Sequence, residues 1–179
     1  MKNLLIVLMS ILLIGCGDSL NAQNYNTSVG GRIGPSYGFT LKHFMSQRLA
    51  VEGLITSRYL GPYRTGFFWP AYRFGNGALG VNFSVLVEYH FPIARIEGFN
   101  WFIGGGAHVG IWAGETGHPW FPNSDRAYFL TGVDLVGGVE YTFSKIPLTL
   151  QADIKPSVHF IEYLGVWYDE IAVSARYTF

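Results

Sequence analysis

The residues Asp169-Glu170-Ile171-Ala172-Val173-Ser174-Ala175-Arg176-Tyr177-Thr178-Phe179 decide the fold. Ile171, Val173, Ala175, Tyr177 and Phe179 fall on one face of an extended chain, with Glu170, Ala172, Ser174, Arg176 and Thr178 on the other. Successive side chains of a strand point to opposite sides, so this alternation predicts a strand with one apolar and one polar face. A strand of this kind needs partners that repeat its pattern.

The pattern recurs throughout the chain beyond Gln23. From Arg48 to Tyr59, Leu49, Val51, Ile55 and Tyr59 oppose Arg48, Glu52, Thr56 and Arg58. From Gly77 to Phe91, seven apolar residues from Leu79 to Phe91 oppose Gly80, Asn82, Ser84, Glu88 and His90. Phe99 to Ala113 sets Phe99, Trp101, Ile103, Val109 and Ile111 against Asn100, His108 and Trp112. Ala127 to Phe143 sets Phe129, Val133, Leu135, Val139, Tyr141 and Phe143 against Asp134 and Glu140, and Leu148 to Phe160 sets apolar residues against Gln151, Asp153, Lys155 and His159. No helical period, charge run or linker divides the chain, which predicts a single all-β domain over 23–179.

Connections alternate in length. His43 to Gln47, Pro92 to Gly98 and Ser144 to Pro147 are brief, whereas Leu60 to Asn76, Gly114 to Arg126 and Ile161 to Tyr168 are long. A closed antiparallel barrel whose first and last strands pair needs an even number of strands. Gly34-Pro35-Ser36, with Pro favoured in turns, splits Thr27 to Phe44 into two strands and brings the count to eight. Val29, Ile33, Phe39 and Leu41 then face outward, with Arg32 and Lys42 inward. Pro156 lacks an amide donor and is expected at a bulge near one rim.

The chain carries 12 basic and 12 acidic residues, is 49% hydrophobic and only 13% charged. Soluble domains run at about 25% charged, and a spanning helix needs about 20 consecutive apolar residues, which the chain beyond its N-terminus lacks. A transmembrane barrel, with half of each strand facing lipid, fits this composition. Zero net charge sets nucleic-acid binding aside. Lys2 followed by the apolar run Leu4 to Ile14 reads as an export signal, with cleavage expected after 1–22. The alternative is Leu13-Ile14-Gly15-Cys16, which resembles a lipobox and would leave Cys16 lipidated; Cys16 is the single cysteine, so no internal disulfide forms.

Charge distinguishes the faces. Strand parity gathers Arg32, Lys42, Arg48, Arg58, Lys155 and Arg176 with Glu52, Glu88, Asp134, Glu140, Asp153 and Glu170 on the polar face, and leaves the apolar face rich in Phe, Tyr and Trp. A lipocalin would invert this order. The final Phe179, with Tyr177, Ala175, Val173 and Ile171 before it, resembles the C-terminal signal by which the barrel-insertion machinery recognises outer-membrane clients. With the export signal and eight alternating strands, residues 23–179 resemble small outer-membrane proteins of the OmpA and OmpX type. The resemblance implies a closed antiparallel eight-stranded transmembrane up-and-down β-barrel, monomeric, in contact with outer-membrane lipid of a Gram-negative bacterium. The short turns and Phe179 would then lie at the periplasmic rim.

The function expected from these residues is structural or a cell-surface interaction. An eight-stranded barrel is just wide enough for its own side chains to fill, so the charge set should form a plug; a narrow pore reads the same charges as a channel lining. An enzyme reading places Ser157 and His159 on one face with Glu162 and Glu170 near the same rim. Both residues turn inward, however, and their order reverses the His-x-Ser arrangement associated with lipid A deacylases. His90, His108 and His118 show no metal-ligand spacing, and no cofactor is implied. Aromatic residues in the long connections, Trp69, Trp120 and Trp167 among them, are candidates for surface contact, since such residues are enriched at interfaces.

Overall fold

The computed structural model describes residues 26–60, 63–66, 69–73, 77–93, 96–114, 123, 126–162, 164–168 and 170–179. The expected export signal, Cys16 and Trp120 lie outside them. The strands are β1 (Thr27–Ile33), β2 (Ser36–Phe44), β3 (Leu49–Leu60), β4 (Tyr63–Gly66), β5 (Trp69–Arg73), β6 (Ala78–Pro92), β7 (Phe99–Gly114), β8 (Tyr128–Thr142), β9 (Leu148–Ile154), β10 (Ser157–Ile161), β11 (Gly165–Trp167) and β12 (Ile171–Thr178). No helix among the described residues is long and apolar enough to cross a membrane.

Antiparallel pairing runs β1-β2-β3-β6-β7-β8, then through β9 and β10 as one wall strand and β11 and β12 as the next. Pairing of β12 with β1, from Ile33 opposite Val173 to Ser28 opposite Thr178, closes an eight-stranded barrel. Reciprocal amide bonds between Thr27 and Phe179, at 3.1 and 2.9 Å, extend the closure to one rim. Gly34 and Pro35 separate β1 from β2, as the turn chemistry predicts, and make a two-residue link at the rim that otherwise carries the long connections. The connection after Leu60 contains a further hairpin, β4 with β5, which its sequence pattern did not announce because each arm is only four or five residues long.

Pro156 interrupts the seventh wall strand without shifting it against β8. Ile154 opposes Gly137, Ser157 opposes Asp134, and the Leu135 amide donates to the Pro156 carbonyl at 2.9 Å. The extra residue lies on the other side. Two residues between Ile154 and Ser157 face three between Trp167 and Ile171, so the bulge belongs to the last wall strand, with Pro156 opposite it. A second register shift separates His159 from Ile161.

The barrel is inverted relative to a soluble protein. Val81, Phe83, Val85 and Val87 lie in succession along the outer face of β6 at 42–52% exposure, whereas Glu52, Glu88, Glu140 and Lys42 inside are fully buried. Near the Phe179 rim the outer face carries aromatic pairs, including Phe91 stacked on Trp101 at 4.1 Å and Tyr141 against Phe143 at 4.8 Å. A girdle of this kind marks the edge of the apolar band of membrane barrels.

Candidate functional site: the barrel interior

Inward residues of a single strand show how the interior is layered. From the Phe179 rim upward, β3 contributes Ala50, Glu52, Leu54, Thr56, Arg58 and Leu60; β6, running the other way, contributes His90, Glu88, Leu86, Ser84, Asn82, Gly80 and Ala78. Polar and apolar layers therefore alternate along the axis.

The lower polar layer is centred on Lys42 and Arg176. Lys42 Nζ lies 2.6 Å from Glu88 Oε2, 3.1 Å from Glu140 Oε2, 3.5 Å from Glu52 Oε2 and 2.6 Å from Gln151 Oε1. Arg176 donates to Glu52 at 2.9 Å, to Glu140 at 2.5 Å and also to Gln151. These groups come from β2, β3, β6, β8, β9 and β12; Lys42 meets its cross-strand neighbour Glu52 and also reaches Glu140 across the lumen, as Arg176 reaches Glu52. Thr40 donates to Glu52, and His90 Nε2 sits 3.2 Å from Glu88 while its ring stacks on Phe102 at 5.0 Å. Charged groups removed from water this fully persist only where each has close partners. Directly above, Leu54, Leu86, Phe102 and Val136 form an apolar layer.

A second set of polar groups occupies the interior toward the opposite rim. Arg32 makes a two-pronged pair with Asp153, both bonds 2.7 Å, the planar fork geometry that holds a guanidinium most firmly. Arg58 reaches Glu170 at 2.9 Å, and Ser36 donates to the same carboxylate. Asp134 accepts from Lys155 at 3.2 Å and from Ser157 at 2.5 Å, and meets His108 Nδ1 at 3.0 Å. His108 Nε2 in turn lies 2.9 Å from His159 Nδ1. Beside them is a cavity of about 20 Å³ lined by His108, His159, Lys155, Ser157, Trp167 and Glu170 among others, room for about one water. Trp167 packs edge-on against Trp112 at 5.0 Å and His159 at 4.3 Å, within a final apolar layer that includes Leu60, Tyr128 and Leu130. Trp112 fits because Gly80 lies beneath it: a Cβ there would stand 2.1 Å from the indole.

Two expected positions are corrected. Arg48 is not in the lumen. Strand β3 begins at Leu49, and Arg48 closes the turn after β2, half-exposed, its carbonyl accepting from the His90 amide at 2.7 Å. The interior set is therefore five cations, Arg32, Lys42, Arg58, Lys155 and Arg176, against six carboxylates, Glu52, Glu88, Asp134, Glu140, Asp153 and Glu170, with His90 and His108 also on carboxylates. Trp167 is not a surface residue. The bulge reverses its parity, and the indole is buried at 5% exposure with the Arg58 guanidinium 4.9 Å from its ring. For Trp69, the backbone lies in the β4–β5 hairpin.

Other placements follow parity. Ile171, Val173, Tyr177 and Phe179 are exposed on the outer wall with Ala175 between them. Ser157 and His159 face inward, and the Ser157 hydroxyl donates to Asp134 at 2.5 Å and accepts from Lys155 at 3.3 Å, so it is held in the ion-pair network and not paired with His159 as the enzyme reading supposed. Glu162 lies at the rim, bonded to Arg126 at 3.0 Å. The sequence had not grouped His108 with His159, because only the pairing register places them on either side of Gly132.

No protein-family model matches the sequence, and no curated protein matches it. Solved structures do. Neisserial surface protein A shares 13% identity with a TM-score of 0.55, covering 86% of this chain and 93% of that one. Ail, the attachment invasion locus protein of Yersinia pestis, shares 16% identity with a TM-score of 0.45, covering 85% and 92%; its complex with the heparin analogue sucrose octasulfate gives 15% identity at the same TM-score. At such identity the first likeness is one of fold, and with the pairing of β1 and β12 it establishes that this chain has the closed eight-stranded antiparallel architecture of the small outer-membrane β-barrels.

Proposed function

We propose that the chain is an integral outer-membrane barrel of a Gram-negative envelope, with a filled, charge-paired interior and a structural or cell-surface interaction role. The observation that carries this reading is the inversion of the wall: exposed aliphatic and aromatic side chains outside, a cross-lumen ion network inside. In water such an outer face would be a continuous apolar patch far larger than soluble monomers tolerate; in lipid it is the solvated surface. The rim with short turns and Phe179 faces the periplasm, and the longer connections face outward. Ile171, Val173, Ala175, Tyr177 and Phe179 serve as the signal read by the insertion machinery, after export through a cleaved segment 1–22 or lipidation at Cys16.

With Trp167 committed to the lumen, surface contact falls to the connection containing Trp69 and to the one containing Trp120, a role in keeping with the name of the Neisserial surface protein. Two layers of apolar side chains and the ion network between the rims oppose the pore reading. The wiring of Ser157 to Asp134 opposes the enzyme reading. Cell fractionation tests the proposal: the protein should partition with the outer membrane and shift mobility on gels when boiled. A soluble protein whose mobility is insensitive to heat would overturn it, and mass spectrometry of the mature N-terminus decides between Gln23 and a lipidated Cys16.

A further inference from the structure

We propose that His108 and His159 form a two-histidine site for a borderline divalent transition cation, zinc being the type, with Asp134 orienting the first ligand. The site is built by register. His108 on β7 and His159 on β10 both oppose Gly132 of β8, one from each side, so the three residues form a row across three strands. Gly132 has no side chain to separate the imidazoles; a Cβ there would come within 2.7 Å of His108 Cε1. The rings meet over it with Nε2 of His108 and Nδ1 of His159 at 2.9 Å.

Asp134 receives His108 Nδ1 at 3.0 Å. With the proton on that nitrogen, the Nε2 lone pair is directed at His159. A carboxylate behind a histidine is the arrangement that fixes the tautomer of metal ligands and raises their basicity. Without a cation, one proton bridges the facing nitrogens. A cation in its place, at about 2.0–2.1 Å from each nitrogen in tetrahedral geometry, requires a separation of about 3.3 Å, a widening of about 0.4 Å. Among the described residues no third His, Cys, Asp or Glu completes the set. The adjoining cavity, whose lining includes Ser36, Ser84 and Thr56 and which has room for about one water, supplies one further ligand. Lys155 and Arg58 are matched by Asp134 and Glu170, so paired charge surrounds the site. Imidazole donors select zinc, nickel or copper over calcium or magnesium, which require oxygen.

The test is calorimetric titration of Zn2+ into the full chain folded in detergent, together with the ring 15N resonances of its five histidines. One Zn2+ should bind per chain, and the resonances of His108 and His159 should shift together. His159→Gln should weaken binding at least about ten-fold and Asp134→Asn about ten-fold, while His43→Gln, at the opposite rim, should leave it unchanged. Where a variant fails to show the folded gel mobility, the ring resonances of the unaltered chain decide. Absence of saturable binding, binding retained by His159→Gln, or shifts confined to other histidines would overturn the proposal.

Discussion

The two polar regions of the lumen use the same residue types to opposite effect. The lower one draws on six wall strands and surrounds Lys42 and Arg176 with three carboxylates and Gln151, so each cation has several partners and the cluster bridges the lumen. The upper one also holds pairs between non-adjacent strands, Arg58 with Glu170 and Arg32 with Asp153, but its Asp134 cluster takes His108, Ser157 and His159 from three adjacent wall strands, with Lys155 between β9 and β10, and borders a cavity. Cross-lumen pairing makes a plug that cannot open without breaking several ion pairs at once. Pairing of the Asp134 cluster along neighbouring strands leaves a water-sized cavity beside it.

This contrast predicts graded losses of stability, measured as unfolding in detergent. Lys42→Ala should cost the most, about 3–5 kcal/mol, since it takes the lysine partner from Glu88 and leaves Glu52 and Glu140 to Arg176. Glu140→Ala should fall at the low end of that range, about 3 kcal/mol, because Glu52 and Glu88 still flank the cations; a larger loss for Glu140 than for Lys42 would break the idea of shared partners. Trp167→Ala should also cost about 3 kcal/mol through lost contact with Trp112 and His159. No measurable loss would return Trp167 to the surface.

Smaller effects sharpen the upper chamber. Gly132→Ala should cost about 1–3 kcal/mol, since its Cβ would stand 2.1 Å from the Val158 carbonyl oxygen and 2.7 Å from His108 Cε1. Ser157→Ala should cost about 1 kcal/mol, for one hydrogen bond to a carboxylate that keeps Lys155 and His108. It should also leave the membrane lipid composition unaltered, as read by lipid mass analysis. A changed lipid profile would restore the enzyme reading.

Much of the fold is legible along the chain because barrel strands are local patterns. The alternation from Glu170 to Phe179, the Gly34-Pro35 turn and the requirement for an even count lead to eight strands without reference to long-range contacts. Parity also places nine further charged residues with Lys42 and Arg176 inside, and it does not reach Trp167, which the sequence puts in a long connection. Trp167 and Glu170 both face inward although they are three apart, since a bulge inserts one residue, and no single-strand pattern shows a bulge. Arg48 has the parity of the inward residues but stands one residue before the strand begins, and a single-strand pattern does not mark where a strand starts. The His108, Gly132 and His159 row was invisible for a different reason. It exists only once the β7–β8 and β8–β10 registers are known, and residues 24 and 27 apart in sequence show no ligand spacing.

The most direct test of a filled barrel is ionic conductance of the purified, folded protein in planar lipid bilayers. A lumen closed by the Lys42 and Arg176 cluster and the layer of Leu54, Leu86, Phe102 and Val136 predicts insertion without discrete current steps. Reproducible unitary steps would show an open path through the barrel and contradict the plug.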